Sequence, residues 1–277
     1  MTTEYAPPAS TFFPQPRLAR GATARAPRVA DPNASTIMAT ACHEIRTPVA
    51  ALHATVEVLS DHATLSPADI GELVGRLQRS LTWLESMVEN LTTSAMAETG
   101  DMPLLLRAVS AVECIEAAVM VIEPLVVRRG QRIDLIEPAD DVVIHGDSGK
   151  ITQVLINLLM NACSYSPDGS VIEISVGARE EDVEVRVTDS GPGVASGEHL
   201  HIFNRYSRGR AGAGRAAGLG LGLHIVKELI ELQGGSVGVE RAPEGGASFW
   251  FTLQRAPGGS QAAAGHDGVT SKGRAAA

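Results

Sequence analysis

His43, Glu44, Arg46, Thr47 and Pro48 fall within six residues, inside the segment CHEIRTPVAAL from Cys42 to Leu52, which is otherwise patterned as an amphipathic helix. On such a helix Thr47 lies four residues past His43 and shares its face, while Glu44 stands one step round, close enough to exchange a proton with the imidazole. The group is suited to chemistry on a histidine ring. Pro48 cannot donate to the carbonyl of Glu44, so the helix is expected to bend there and leave a carbonyl free beside the histidine. Taken singly, each residue has an ordinary explanation, such as a solvated helix histidine. A second group of motifs, far downstream, changes the reading.

The first of these, QVLINLLMNACSYSP from Gln153 to Pro167, sets Asn157 and Asn161 four apart on one helix face, with Val154, Leu155, Leu158 and Leu159 on the other. Neutral amides so placed suit a partly hydrated Mg2+ and the phosphates it bridges, because that ion keeps several waters and asks few ligands of the protein. The second, DSGPGV from Asp189 to Val194, closes a strand with a carboxylate and then Gly191 and Gly193, whose bare backbone can approach a flat ligand. The third, GLGLGLHIV from Gly218 to Val226, is a glycine-rich turn entering a helix, where unpaired amides and the helix dipole favour phosphate. A single glycine-rich run carries little weight. Three motifs in this order, behind the His43 segment, carry much more.

Two kinds of element must position these residues. Met38, Ala41, Ile45, Val49, Leu52, Val56 and Leu59 recur at three-and-four spacing, predicting one helix; Ser66, Pro67 and Asp69 then open a second with an N-cap, a proline at its first position and an acid at its third. The second stripe runs Ile70, Leu73, Leu77, Leu81, Leu84, Val88 and Leu91. Packed only on each other, two such helices leave much apolar surface wet, at about 1.5–3 kcal/mol per large aliphatic side chain, so two copies forming a four-helix bundle is the expected solution. A hairpin resting on the downstream domain is the alternative. From 103 to 255 the pattern becomes mixed: helices over 111–129, 150–164 and 222–232, strands near 132–136, 172–176, 183–187, 236–241 and 247–253. The fold class is therefore α+β, a helical-hairpin dimerisation domain over 34–99 followed by a sheet covered by helices on one side over 103–255, with tails at 1–33 and 256–277.

The bulk properties exclude several functions. Across 277 residues, 44% hydrophobic and 20% charged content is that of a globular protein, and a net charge of -9 argues against direct nucleic-acid binding. Cys42, Cys114 and Cys163 lack both metal-ligand spacing and a disulfide framework, which suggests a reducing cytoplasm. No apolar run reaches the eighteen or so residues of a transmembrane segment.

With all the motifs in view, the chain resembles the two-component sensor histidine kinases. HEIRTP resembles their H-box, NLLMN their N-box, DSGPG their G1 box, IFNRYSRG from Ile202 to Gly209 their F-box and GLGLGL their G2 box. The resemblance implies an α/β-sandwich ATP-binding domain behind a homodimeric bundle, and a His43 that accepts the γ-phosphoryl of ATP and passes it to an aspartate on a response regulator receiver domain. It also implies that Asp189 bonds the adenine amino group, Asn157 holds Mg2+, and Asn161 supports the phosphate end. Gly191, Gly193, Gly218, Gly220, Gly222 and Leu223 would line the nucleotide, and Arg208, in a lid over 204–217, would reach a phosphate. Thr47 would orient water for the reverse, phosphatase activity. Ser164 departs from the lysine or arginine many relatives carry there, and Cys42 from their serine. Gln153 stands where ATPases of the gyrase, Hsp90 and MutL group carry a water-activating glutamate, and cannot act as a base. A regulator phosphatase and a non-catalytic dimeric scaffold remain the alternatives.

Overall fold

The computed structural model describes residues 34–60, 65–100, 102–136, 142–195, 197–199, 201–207, 220–243 and 245–257. Helix α1 spans Ala34–Ser60 and runs through Pro48 as helix; α2 spans Pro67–Thr99. The start of α2 follows from its first residues. Ser66 Oγ accepts from the Asp69 amide at 3.2 Å and Asp69 Oδ2 accepts from the Ser66 amide at 3.0 Å, a reciprocal capping box with Pro67 next to it. The Ser66 hydroxyl and amide hold the Asp69 carboxyl below its usual range. Gly100, at φ 75°, ends the helix in the left-handed conformation that glycine adopts without strain.

The packing of the hairpin divides each stripe. Leu52 and Leu59 of α1 and Leu73, Leu77, Leu84 and Leu91 of α2 are half-buried, whereas Val49, Val56, Val74, Leu81 and Val88 are exposed. The exposed residues recur at intervals of seven, the repeat of a bundle seam. A third face of α2 carries Met87, Asn90 and Ser94, all buried. At about 100° per residue, Asn90 lies nearly half a turn from Val88.

The second unit is built on a five-stranded sheet of order β2-β4-β5-β7-β6, comprising Arg132–Ile136, Val171–Ala178, Asp182–Thr188, Ala247–Gln254 and Ser236–Arg241. All its pairs are antiparallel except β2 with β4. Helices α3 (Ala111–Arg128), α4 (Ser148–Tyr165) and α5 (Gly222–Leu232) cover it. The alternation expected of the strands is observed: Ile172, Ile174, Val183, Val185, Val187, Phe251 and Leu253 are all at or below 1% exposure and meet Ile115, Leu155, Leu158 and Leu229 in one core.

Two short strands were not foreseen. Strand β1 (Arg107–Ser110) and β3 (Val143–Gly146) pair as a separate antiparallel ribbon in front of α3 and α4. Ala256, expected at the start of the C-terminal tail, is buried and donates its amide to the Val143 carbonyl at 2.9 Å, so the lobe continues through it.

Candidate functional site

Asp189 follows β5, where the sheet delivers it into the lobe's interior at 5% exposure. Its Oδ1 accepts from the amides of Gly191 at 2.8 Å and Ala247 at 3.2 Å. Burial pushes the carboxyl above its usual range, against the two amides, which favour the charged form. The backbone around it leaves no room for side chains. A Cβ on Gly246, at φ 92°, would strike the Asp189 carbonyl oxygen, and one on Gly193, at φ 75°, would lie 2.8 Å from the Gly246 carbonyl. Gly191 is similarly enclosed, by Asp189 Oδ1 and the Tyr165 carbonyl. A carboxylate with one oxygen fixed by backbone donors and a second left to accept can read a hydrogen-bond donor on a flat ring.

The turn beside this carboxylate is fixed from the next helix. Arg129, at the end of α3, donates to the carbonyls of Cys163 and Ser166 and pairs with Asp168 at 2.7 Å; Gln131 Nε2 donates to Pro167 at 3.0 Å and Cys163 at 3.2 Å. These donors satisfy the last carbonyls of α4. Ser166 Oγ in turn accepts from the Ser190 amide at 3.3 Å, joining that turn to Asp189's loop.

Asn157 and Asn161 lie one turn apart on α4, Asn157 buried at 5% exposure and Asn161 half-buried. The first turn of α5 comes up against Asn157, since a Cβ on Gly222 would stand 3.5 Å from Asn157 Oδ1. Leu221, at the N-cap of α5, makes no side-chain cap bond, so the amides of the first turn keep their capacity for an anion. Gly220, at φ 65°, has its carbonyl bonded by the Tyr206 amide at 3.0 Å, which ties the end of the F-box stretch to the G2 turn. Leu223 is half-buried against the lobe's core. Arg208 and Gly218 lie outside the described residues, as do residues 208–217 of the expected lid.

Sequence reasoning did not anticipate what faces Asn157. Asn90 of α2 donates through Nδ2 to Asn157 Oδ1 at 2.8 Å, and Asn157 Nδ2 donates back to Asn90 Oδ1 at 3.1 Å. Gln153 Nε2 donates to Thr93 Oγ1 at 3.1 Å and to Asn90 Oδ1 at 3.4 Å. Next to this polar set Met87 and Leu221 are buried together, with Ile45, Trp83, Leu91 and Tyr206 packed around them. Ile45 is two residues from His43, so the G2 turn and the F-box residue Tyr206 rest on the hairpin beside the histidine segment. The backbones of His43 and Glu44 belong to α1, their side chains lie outside the described residues, and Thr47 is exposed.

The residues suit an ion that arrives with its phosphates. Among the described residues no cluster of three or more His, Cys, Asp or Glu could hold a metal by itself, and Asn157 and Asn161 present neutral amides one turn apart on α4. Neutral amides would fit a Mg2+ that arrives with its phosphates, since such an ion asks few ligands of the protein.

Residues 34–100 match the family model of the His Kinase A (phospho-acceptor) domain, and residues 146–257 that of the histidine kinase-, DNA gyrase B- and HSP90-like ATPases. The chain is 30% identical over 218 residues to the signal transduction histidine-protein kinase BaeS of Escherichia coli, across 78% of this chain and 46% of BaeS. It is 33% identical over 244 residues to the sensory/regulatory protein RpfC of Xanthomonas campestris pv. campestris, across 84% of this chain and 33% of RpfC. Among solved structures, full-length ShkA in complex with AMPPNP shares the fold, with a TM-score of 0.54 at 24% identity over 80% of this chain and 46% of that one. The chain thus spans less than half the length of these relatives. Among the described residues no helix is long and apolar enough to cross a membrane. With the phospho-acceptor hairpin and the ATPase-type lobe each matched over its own segment, in the order in which the five motifs run, the chain belongs to the two-component sensor histidine kinases.

Proposed function

We propose that this chain is an ATP-dependent protein-histidine kinase that phosphorylates its own His43 and then hands the phosphoryl group to an aspartate of a response regulator receiver domain. The observation that supports the reading is that one chain joins the helix bearing His43 to a lobe in which the buried Asp189 carboxylate is held by backbone amides and the first turn of α5 comes up against Asn157. Asp189 reads the adenine amino group, while the first-turn amides of α5 and the side chain of Asn161 take phosphate oxygens. Asn157 would hold Mg2+, which would supply charge neutralisation at the phosphates. A neutral His43 nitrogen attacks the γ-phosphorus in line. The N–P bond forms, the bond from that phosphorus to the bridging oxygen breaks, ADP leaves, and the ring proton passes to Glu44. Catalysis of this kind consists mainly of positioning and charge neutralisation, which a tethered lobe can supply.

The working unit in this reading is a homodimer. The exposed heptad residues Val49, Val56, Val74, Leu81 and Val88 form an apolar seam that a second copy covers as a four-helix bundle. Met87 and Asn90 project from another side of α2, so the seam and the lobe contact do not compete. The reading also places the catalytic portion in the cytoplasm, where ATP and reduced cysteines such as Cys114 and Cys163 are found.

Incubation with γ-labelled ATP and magnesium is expected to leave an acid-labile, alkali-stable phosphate on the protein, absent from His43→Gln. Label that persists in His43→Gln rejects the assignment of the acceptor. Transfer of the label to one member of a panel of purified receiver domains identifies the partner.

A further inference from the structure

The side chain assigned to the metal is already engaged by a distant helix of the same chain. We propose that Asn90 is a built-in competitor for the nucleotide's magnesium ion, so that loading of Mg-ATP at the phosphate end and packing of α2 on the lobe exclude each other. The proposal rests on the reading of Asn157 as the metal contact.

The geometry sets the two in competition for one buried oxygen. Mg2+ binds oxygen at about 2.0–2.1 Å and demands near-octahedral surroundings filled by waters and phosphates. Asn157 Oδ1 instead has the Asn90 amide nitrogen at 2.8 Å, and the two residues are 5% and 9% exposed. The bonds run both ways across the pair, and Gln153 and Thr93 extend them by a further turn of each helix. Neutral amides suit this task because neither partner carries a charge that burial would penalise. The apolar contact of Met87 with Leu221 supplies adhesion but tolerates sliding, whereas the amide pair fixes which turn of α2 faces which turn of α4.

The consequence is a conformational equilibrium coupled to metal. In the packed state Asn157 is satisfied by Asn90, and the apparent affinity for Mg-ATP is lowered by the fraction of molecules in that state. Reciprocally, bound Mg-ATP drives α2 off the lobe. Metal-free ATP depends less on this equilibrium, because Asp189 and its partners Gly191 and Ala247 all belong to the lobe.

The test is a titration of the full chain with ATP, once with magnesium and once with EDTA, for the native protein, Asn90→Ala and Thr93→Val, together with hydrogen exchange of residues 83–94. Loss of a paired hydrogen bond shifts an equilibrium several-fold, so Asn90→Ala is expected to bind Mg-ATP about tenfold more tightly, Thr93→Val by a smaller factor in the same direction, and ATP in EDTA with little change. Saturating Mg-ATP is expected to deprotect residues 83–94 in the native protein. Equal Mg-ATP affinity in native and Asn90→Ala proteins, a gain of the same size in EDTA, or unchanged protection at saturation would each overturn the competition while leaving the nucleotide reading intact. Failure of every protein to bind ATP with or without magnesium overturns the nucleotide reading, and the competition with it.

Discussion

Asp189 is held entirely by its own lobe, whereas Asn157, at the other end of the same site, is bonded to a helix of the N-terminal hairpin. The first arrangement is rigid. Glycines at 191, 193 and 246 bring backbone against the carboxylate so closely that a methyl group at any of them meets an oxygen or carbonyl. The second is made of side chains on two packed helices, with no covalent or backbone constraint on their meeting. A base-reading group must keep one geometry in order to discriminate, while a group that meets metal and phosphate has to be uncovered and covered as phosphate comes and goes. Under the roles proposed for Asp189 and Asn157, the difference in construction matches that difference in duty.

The largest expected effect attacks the rigid end. Gly246→Ala forces a side chain into the Asp189 carbonyl and removes a left-handed backbone conformation that alanine resists, a cost on the order of 3 kcal/mol. The lobe should melt earlier and ATP affinity should collapse, read by thermal unfolding and equilibrium binding. An unaltered affinity would mean that this end is not rigid.

Asp189→Asn is next, and it separates recognition from folding. The amide oxygen can still accept from Gly191 and Ala247, so the lobe should fold, while ATP binding weakens by about 10- to 100-fold because an NH2 group now faces the adenine amino group. The substitution also has a pH signature. Burial raises the native carboxyl above its unfolded value, so the folded state binds this proton more tightly. Its contribution favours folding at pH below the raised value and is lost as pH rises through it. Asp189→Asn should flatten that slope in lobe stability measured from the usual aspartate range upward.

The smallest effect serves as the reference for both ends. Ser66→Ala removes a cap at the far end of α2 and should cost about 1 kcal/mol in the stability of the hairpin. Its ATP affinity in EDTA should match that of the native protein. A loss there would show that the adenine end depends on the hairpin after all.

Much of this site was legible in the sequence because its components are local. The capping box at Ser66, the strand alternation at Ile172 and Val183, and the glycines after Asp189 each declare themselves within a few residues, and each stands where expected. Strands β1 and β3 escaped because four residues give too few periods to count, and RAVS runs straight into the cap of α3. Asn90, Thr93 and Ser94 escaped for another reason. Polar residues on a helix read as its solvated side, and only the arrival of Gln153 and Asn157 from sixty or more positions downstream turns that side inward.

Helix α2 runs from Pro67 to Thr99 with no proline after its first residue, a shaft of roughly 50 Å with its capped end at the hairpin turn and Asn90 toward the other. A roll imposed at one end of such a shaft is carried toward the other by its unbroken ladder of backbone hydrogen bonds. A roll of about 20° carries atoms at a radius of about 5 Å through roughly 2 Å, enough to pull the paired amides out of bonding range. Under the proposed competition, twist of α2 alone decides whether a phosphate donor is admitted.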